Sequence, residues 1–87
     1  MSGWDWEYLS DAEHVVGGLS AEARAEVERI AERLADAAAV KYLGDPPPEE
    51  AGVAPLVSIA EGLWMIWYQE YRVRRVVYIV LTQHLGS

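Results

Sequence analysis

Apolar and polar residues alternate at the start of the chain. Residues 4–8 read WDWEY, so three aromatic side chains alternate with two acids. A period of two is typical of a strand with one side on a core. We therefore predict a strand over residues 4–9 whose aromatic side chains face the core and whose acids face water.

The pattern then changes to the period of a helix, and two helices are predicted. Ser10 and Glu13 form a capping-box pair that begins the first helix, and Gly17-Gly18 ends it after about two turns. A second helix follows over residues 20–38 and is expected to be the longest in the chain. Its apolar stripe has helical spacing and consists of Ala23, Val27, Ile30, Ala31, Leu34 and Ala38.

A different pattern follows the proline-rich residues 44–53, which cannot continue a helix or a sheet and are predicted to form a loop. β-Branched and aromatic residues dominate the remainder and predict strands over residues 56–60, 63–71 and 73–84. The plausible turns are Glu61-Gly62 and residues 71–75. The whole chain, residues 1–87, is thus predicted to be one α+β domain: an N-terminal strand, a helical hairpin, then a three-stranded antiparallel sheet covered by the helices on one face.

The longest aromatic cluster lies on the middle strand of that sheet. Because strand side chains alternate between faces, Trp64 and Tyr68 should share one face, and Trp67 and Tyr71 the other. The helices can cover only one of these faces. We expect the second face to bind another chain, since large exposed apolar patches usually mark binding sites. Base stacking is the alternative use of such aromatic residues.

Composition excludes several kinds of chemistry. The chain has no cysteine, which rules out disulfides, thiolate metal sites and thiol catalysis. We find no metal-ligand spacing, phosphate-cradling glycine loop or supported Ser-His-Asp arrangement, so we predict no metal and no cofactor. A secreted domain this small would normally carry disulfides, which favours a cytoplasmic protein. The most apolar run, residues 76–81, is too short to span a bilayer, so no membrane association is expected.

Charge is distributed unevenly along the chain, whose formal net charge is -7. Residues 1–61 contain thirteen acids and four bases, whereas residues 62–87 contain one acid and three arginines. The acidic part would be repelled by nucleic acid, because phosphate is neutralised by Lys and Arg. Its simplest role is to keep a helix face solvated.

The order of the predicted elements and the amino-acid sequence within them resemble the RelE/ParE toxin superfamily over nearly the whole chain. The segment WEYLSDAEHVVGGLSAEARAEVERIAERLAD, residues 6–36, is similar to the opening strand and helical hairpin of that family. VKYL, residues 40–43, is similar to the basic segment after the long helix. PLVSIAEGLWMIWY and RRVVYIVLTQHL, residues 55–68 and 74–85, are similar to the three final strands.

This resemblance implies the toxin component of a bacterial type II toxin-antitoxin pair, with a cognate antitoxin as partner. Ribonuclease members cut messenger RNA on the ribosome with arginines and lysines on the central strands, whereas the gyrase-poison branch binds its target without catalysis. The positions here that match those basic residues are Ser58, Ala60 and Met65. None can hold a phosphate, so we expect weakened or lost cleavage.

Seven residues are candidates for a site. His84 falls where some family members place a general acid or base, and a histidine pKa suits that role; the alternative is a solvent-facing strand end. The other candidates are expected to bind RNA or a protein partner. They are Lys41, Trp67, Tyr71, Arg72, Arg74 and Arg75. The arginines could instead form a charged hairpin end that blocks aggregation.

Two functions therefore stay open. In the first, the chain is a RelE/ParE-like toxin, and an mRNA endoribonuclease if it is active. In the second, it is a non-catalytic interaction domain that dimerises or binds a partner, which includes action like that of a gyrase poison. RNA and the ribosome are expected partners only of an active toxin. An antitoxin or a second copy of the chain is an expected partner under both functions.

Overall fold

One long helix packs against a four-stranded sheet in the computed structural model, which describes residues 3–11, 15–44 and 55–85. In chain order the elements are strand β1 (Asp5–Tyr8), helix α1 (Ala21–Lys41), and strands β2 (Val57–Glu61), β3 (Trp64–Tyr71) and β4 (Val76–His84). The α+β class and the alternation of β1 are confirmed: Asp5 and Glu7 are exposed, while Trp6 and Tyr8 are half-buried.

The sheet has the strand order β1-β4-β3-β2. Strands β2, β3 and β4 are antiparallel neighbours as predicted, but β1 joins them beside β4 and runs parallel to it. The predicted three-stranded antiparallel sheet was therefore wrong, and the sheet is four-stranded and mixed. The error has a physical origin, because a period of two shows which side of a strand is buried and carries no information about its neighbour.

Helix α1 begins and ends with defined contacts. The Ser20 hydroxyl accepts a hydrogen bond of 3.1 Å from the amide of Ala23, and the chain leaves the helix at Tyr42. Residues 20–38 were predicted, and the helix continues one further turn. Of the first predicted helix after its cap, Asp11, Val15 and Val16 are described; Val15 and Val16 are helical and buried, whereas Asp11 is not helical. Glu13 of the capping pair lies outside the described residues, as do residues 45–53 of the loop predicted over residues 44–53.

The core lies between α1 and one side of the sheet. The largest fully buried side chains are Val27 from the helix and Ile66, Val77 and Ile79 from the two central strands. This burial supplies most of the stabilising free energy, since removing apolar area from water contributes about 25 cal/mol per Å². Among the described residues no helix is both long and apolar enough to cross a membrane.

Each turn lies within one residue of its predicted position, Glu61-Gly62 for the first and residues 71–75 for the second. Gly62 and Leu63 form the two-residue connection between β2 and β3, and Gly62 has a φ of 59°. Positive φ at the first position alone is the requirement of a type II′ turn, which matches the twist of a hairpin and favours glycine. Residues 72–75 connect β3 to β4, and Arg75 also has a positive φ of 54°.

Candidate functional site

Strand register divides the sheet into two faces. Trp64 and Tyr68 face α1, together with Val77 and Ile79 of β4. Trp67 and Tyr71 face the other way, as the alternation predicts. We call this second side the open face, because no described element lies over it. Its residues are Asp5, Glu7, Ser58, Ala60, Met65, Trp67, Gln69, Tyr71, Val76, Tyr78, Leu81 and Gln83.

A bulge in β4 decides which residues reach the open face. Tyr68 pairs with Ile79 and Trp67 pairs with Leu81, so Val80 is an extra residue between two paired positions. An extra residue of this kind reverses the alternation beyond it. Leu81 consequently lies on the open face and is 50% exposed. Uninterrupted alternation from Ile79 would instead have turned Leu81 toward the helix.

The aromatic side chains of the open face contact one another near the β3–β4 turn. The rings of Tyr71 and Tyr78 meet edge to face at 4.8 Å. The Tyr71 hydroxyl donates a 3.4 Å hydrogen bond to Gln69, and Arg74 donates one of 2.8 Å to the Tyr78 hydroxyl. These contacts hold two candidate residues, Tyr71 and Arg74, in one cluster with Trp67 further along the strand. Sequence reasoning omitted Tyr78, although its place between Val77 and Ile79 was a signal for this face.

The three positions that the resemblance matches to basic residues lie near one another on the open face, two on the edge strand β2 and one on its neighbour β3. Ala60 pairs with Met65, and Ser58 pairs with Trp67. All three are uncharged, so the strands place no cation at the positions that the resemblance matches to basic residues. The charged side chains that the strands do place on this face, Asp5 and Glu7, are acids. The β1 side of this face would therefore repel phosphate.

The arginines of the β3–β4 turn point to different places. The Arg72 guanidinium lies 4.6 Å from the centre of the Tyr42 ring, at the end of α1. Arg74 contacts Tyr78 on the open face. Arg75 reaches the N-terminal residues, where its guanidinium lies beside Gly3. The three side chains thus form no single phosphate-binding group.

Lys41 belongs to a cluster that joins the end of α1 to β3. Its ammonium lies 3.1 Å from Glu70, and Tyr42 donates a 2.9 Å hydrogen bond to the same carboxylate oxygen. The hydrogen bond to Glu70 raises the pKa of Lys41. Tyr42 also stacks on Trp4 at 5.6 Å. The structure brings Lys41 and Arg72 together around the Tyr42 ring, and the sequence contained no signal for this contact.

His84 lies on the helix-facing side at the opposite end of the sheet. Its ring is 4.8 Å from that of Trp64, whose indole donates a 2.9 Å hydrogen bond to Glu26. An open cavity of about 380 Å³ adjoins these residues. Arg33 also lines it and forms a 3.1 Å ion pair with Glu61. The surroundings of His84 are thus aromatic and of mixed charge.

The catalytic candidate and the arginine candidates are therefore separated. His84 is paired with Trp64 at one end of β3, and the arginine turn follows Tyr71 at the other end. Seven residue steps of a strand amount to roughly 23 Å. His84 also faces the opposite side of the sheet from Trp67 and Arg74. A general acid and a phosphate clamp must contact the same substrate atoms, and these residues are not placed to do so.

The described residues include no group of three His, Cys, Asp or Glu side chains that could hold a metal ion. Comparisons of the chain with protein-family models, curated proteins and solved structures return no significant match.

Proposed function

We propose that this domain is a RelE/ParE-like toxin that acts by binding protein through its open face and does not cleave RNA. The partner that neutralises it is then an antitoxin, as the resemblance implies. One observation carries the proposal: the part of the open face on β2 and β3 that Ser58, Ala60, Met65 and Trp67 form is uncharged. Phosphoryl chemistry needs fixed positive charge where the transition state develops negative charge, whereas protein interfaces favour apolar and aromatic centres.

The edges of the open face indicate what kind of partner it fits. Arg74 lies at the β3–β4 turn, while Asp5 and Glu7 line the β1 side. A complementary partner places an apolar or aromatic side chain over Trp67, an acid over the turn and a base over β1. Charges at the rim mainly direct association and specificity, and the buried aromatic residues supply most of the affinity.

The test is induced expression in a bacterial host, reading growth and messenger RNA integrity together. We expect wild-type protein to slow growth without producing messenger RNA fragments. Trp67→Ala should abolish the growth effect, because truncation of an interface tryptophan often costs 2 kcal/mol or more, about a thirtyfold loss of affinity.

Two variants serve as controls. Leu43→Ala removes an apolar side chain that is 82% exposed at the end of α1, and it should inhibit growth as wild type does. His84→Ala should also retain inhibition, since His84 faces away from the open face. Absence of growth inhibition by wild type would contradict the toxin assignment. Inhibition that survives Trp67→Ala, or fragments that depend on His84, would contradict binding through the open face.

A further inference from the structure

We propose that two copies of this chain associate through the outer edge of β2, which pairs antiparallel with β2 of the partner subunit about Ile59. The two sheets then form one continuous sheet of eight strands. Ser58 and Ala60 belong to both surfaces, but edge pairing uses their backbone groups in the plane of the sheet and the open face uses its side chains. The inference therefore does not depend on the proposed function.

The hairpin fixes which backbone groups of β2 are available for pairing. The two-residue loop after Glu61 makes Glu61 and Trp64 a hydrogen-bonded pair, and hydrogen-bonded pairs then alternate along the ladder. Val57, Ile59 and Glu61 therefore bond to β3. Ser58 and Ala60 direct their N–H and C=O groups outward, where no described strand pairs with them.

The two edges of the sheet differ in their protection against self-pairing. At the β1 edge, Asp5 and Glu7 are exposed acids, and an acidic edge repels its own copy. The outward-directed residues of β2 are Ser58 and Ala60, which are small, exposed and uncharged. No lysine, arginine or proline lies within Val57–Glu61. Of the two edges, β2 is the one that lacks the usual barrier.

Pairing of two β2 strands about Ile59 gives hydrogen-bond partners to the outward backbone N–H and C=O groups. It also places compatible side chains opposite each other. Ser58 lies opposite Ala60 of the partner subunit in a hydrogen-bonded pair, and the symmetric pair doubles these bonds. Ile59 meets Ile59 of the partner subunit in a non-hydrogen-bonded pair, where side chains lie closest. Glu61 lies opposite Val57 of the partner subunit. No like charges oppose each other, although the chain carries a net charge of -7.

The ends of β2 explain why a second copy fits this edge. Leu56 and Leu63 are 55% and 58% exposed, one at each end of the strand, and Val57 is 37% exposed. Antiparallel pairing brings Leu56 beside the Gly62-Leu63 turn of the partner subunit. The same event thus covers exposed apolar side chains of both copies at both ends. An interface of this small size falls in the weak class, with dissociation constants on the order of micromolar.

The primary test is sedimentation of the full chain from low to high micromolar concentration. Wild type should shift from monomer to dimer. Ala60→Pro removes an outward N–H while leaving the residues that bond to β3 intact, and should stay monomeric with an unchanged circular dichroism spectrum. Ala60→Val keeps the N–H and should dimerise as wild type does. A wild type that stays monomeric throughout, or a dimer that survives Ala60→Pro, would overturn the proposal.

A second test places a single cysteine in this cysteine-free chain. Ile59→Cys should form a disulfide-linked dimer under mild oxidation, because directly opposed Cα atoms in such a pair are close enough to be bridged. Leu43→Cys, at the far end of α1, should link far more slowly. Equal rates of disulfide formation in the two variants would show that the β2 strands do not pair about Ile59. Trp67→Ala should still dimerise, because Trp67 lies on β3 and not at the edge of β2. Dimerisation can therefore be tested even if the proposal of binding through the open face fails.

Discussion

At the scale of single residues, the structure gives several aromatic hydroxyls a specific partner. Tyr8 on β1 donates a 3.0 Å hydrogen bond to Glu28 on α1, and Glu28 also pairs with Arg24 at 3.0 Å. Burial, followed by the hydrogen bond and the charge of Glu28, raises the pKa of Tyr8 from 10.0 to about 12. This contact fastens the edge strand to the helix, and it is strongest while the phenol is protonated.

That shift predicts a dependence of stability on alkaline pH. In the unfolded chain Tyr8 ionises near pH 10.0, and in the folded protein near pH 12. The contribution of the protonated phenol is complete below pH 10, and it is lost as the pH rises toward 12, because unfolding then releases a proton. Tyr8→Phe should flatten the fall in the free energy of unfolding over this window, measured by urea denaturation.

Glu28→Gln provides the matched control, since it removes the neighbouring negative charge. It should bring the pKa of Tyr8 closer to its usual value, read from the ultraviolet absorbance of tyrosinate. An unchanged pH dependence in Tyr8→Phe would show that other groups govern stability in this range.

At the scale of elements, the long helix is the part that the chain specifies most locally. Ser20 caps its first turn, with φ and ψ of -65° and 163°, and the buried stripe recurs at helical spacing. Strand ends were predicted within three residues. The β4 bulge was not predicted, because Val80 resembles its neighbours and only pairing against β3 distinguishes it.

The helix cap supports a prediction of its own. Ser20→Ala removes the acceptor for the Ala23 amide and should lower the free energy of unfolding by about 1 kcal/mol in urea denaturation. Ser20→Asp should remain within a few tenths of a kcal/mol of wild type, because aspartate is an equally good cap. Equal loss in both variants would show that the hydroxyl contributes by some other contact.

At the scale of the whole molecule, the candidate residues are distributed among separate surfaces. Trp67, Tyr71 and Arg74 share the open face, while Lys41 and Arg72 hold the end of α1. His84 lies beside Trp64 at the far end of the sheet. This distribution supports the proposed binding role, since catalysis requires that the reacting groups converge.

The corresponding prediction concerns RNA cleavage by purified protein with ribosomes and messenger RNA. We expect weak or no cleavage, because Ser58, Ala60 and Met65 leave the β2 and β3 part of the open face without a cation. Cleavage that His84→Ala reduces by at least about tenfold, the lower range for loss of a general acid or base, would support the role that the sequence predicts for His84 and would contradict the proposed function. Robust cleavage that survives His84→Ala would refute both the position matching and the role assigned to His84.

The sequence by itself determined the features that depend on neighbouring residues. The capped helix, the Gly62 turn and the division of Trp64 and Tyr68 from Trp67 and Tyr71 all follow from local periods and backbone preferences. Tertiary structure alone decided the place of β1 in the sheet, the side that His84 faces and the divergence of the three arginines. Each of these depends on contacts between residues far apart in the chain, such as Tyr42 with Arg72, which periodicity cannot specify.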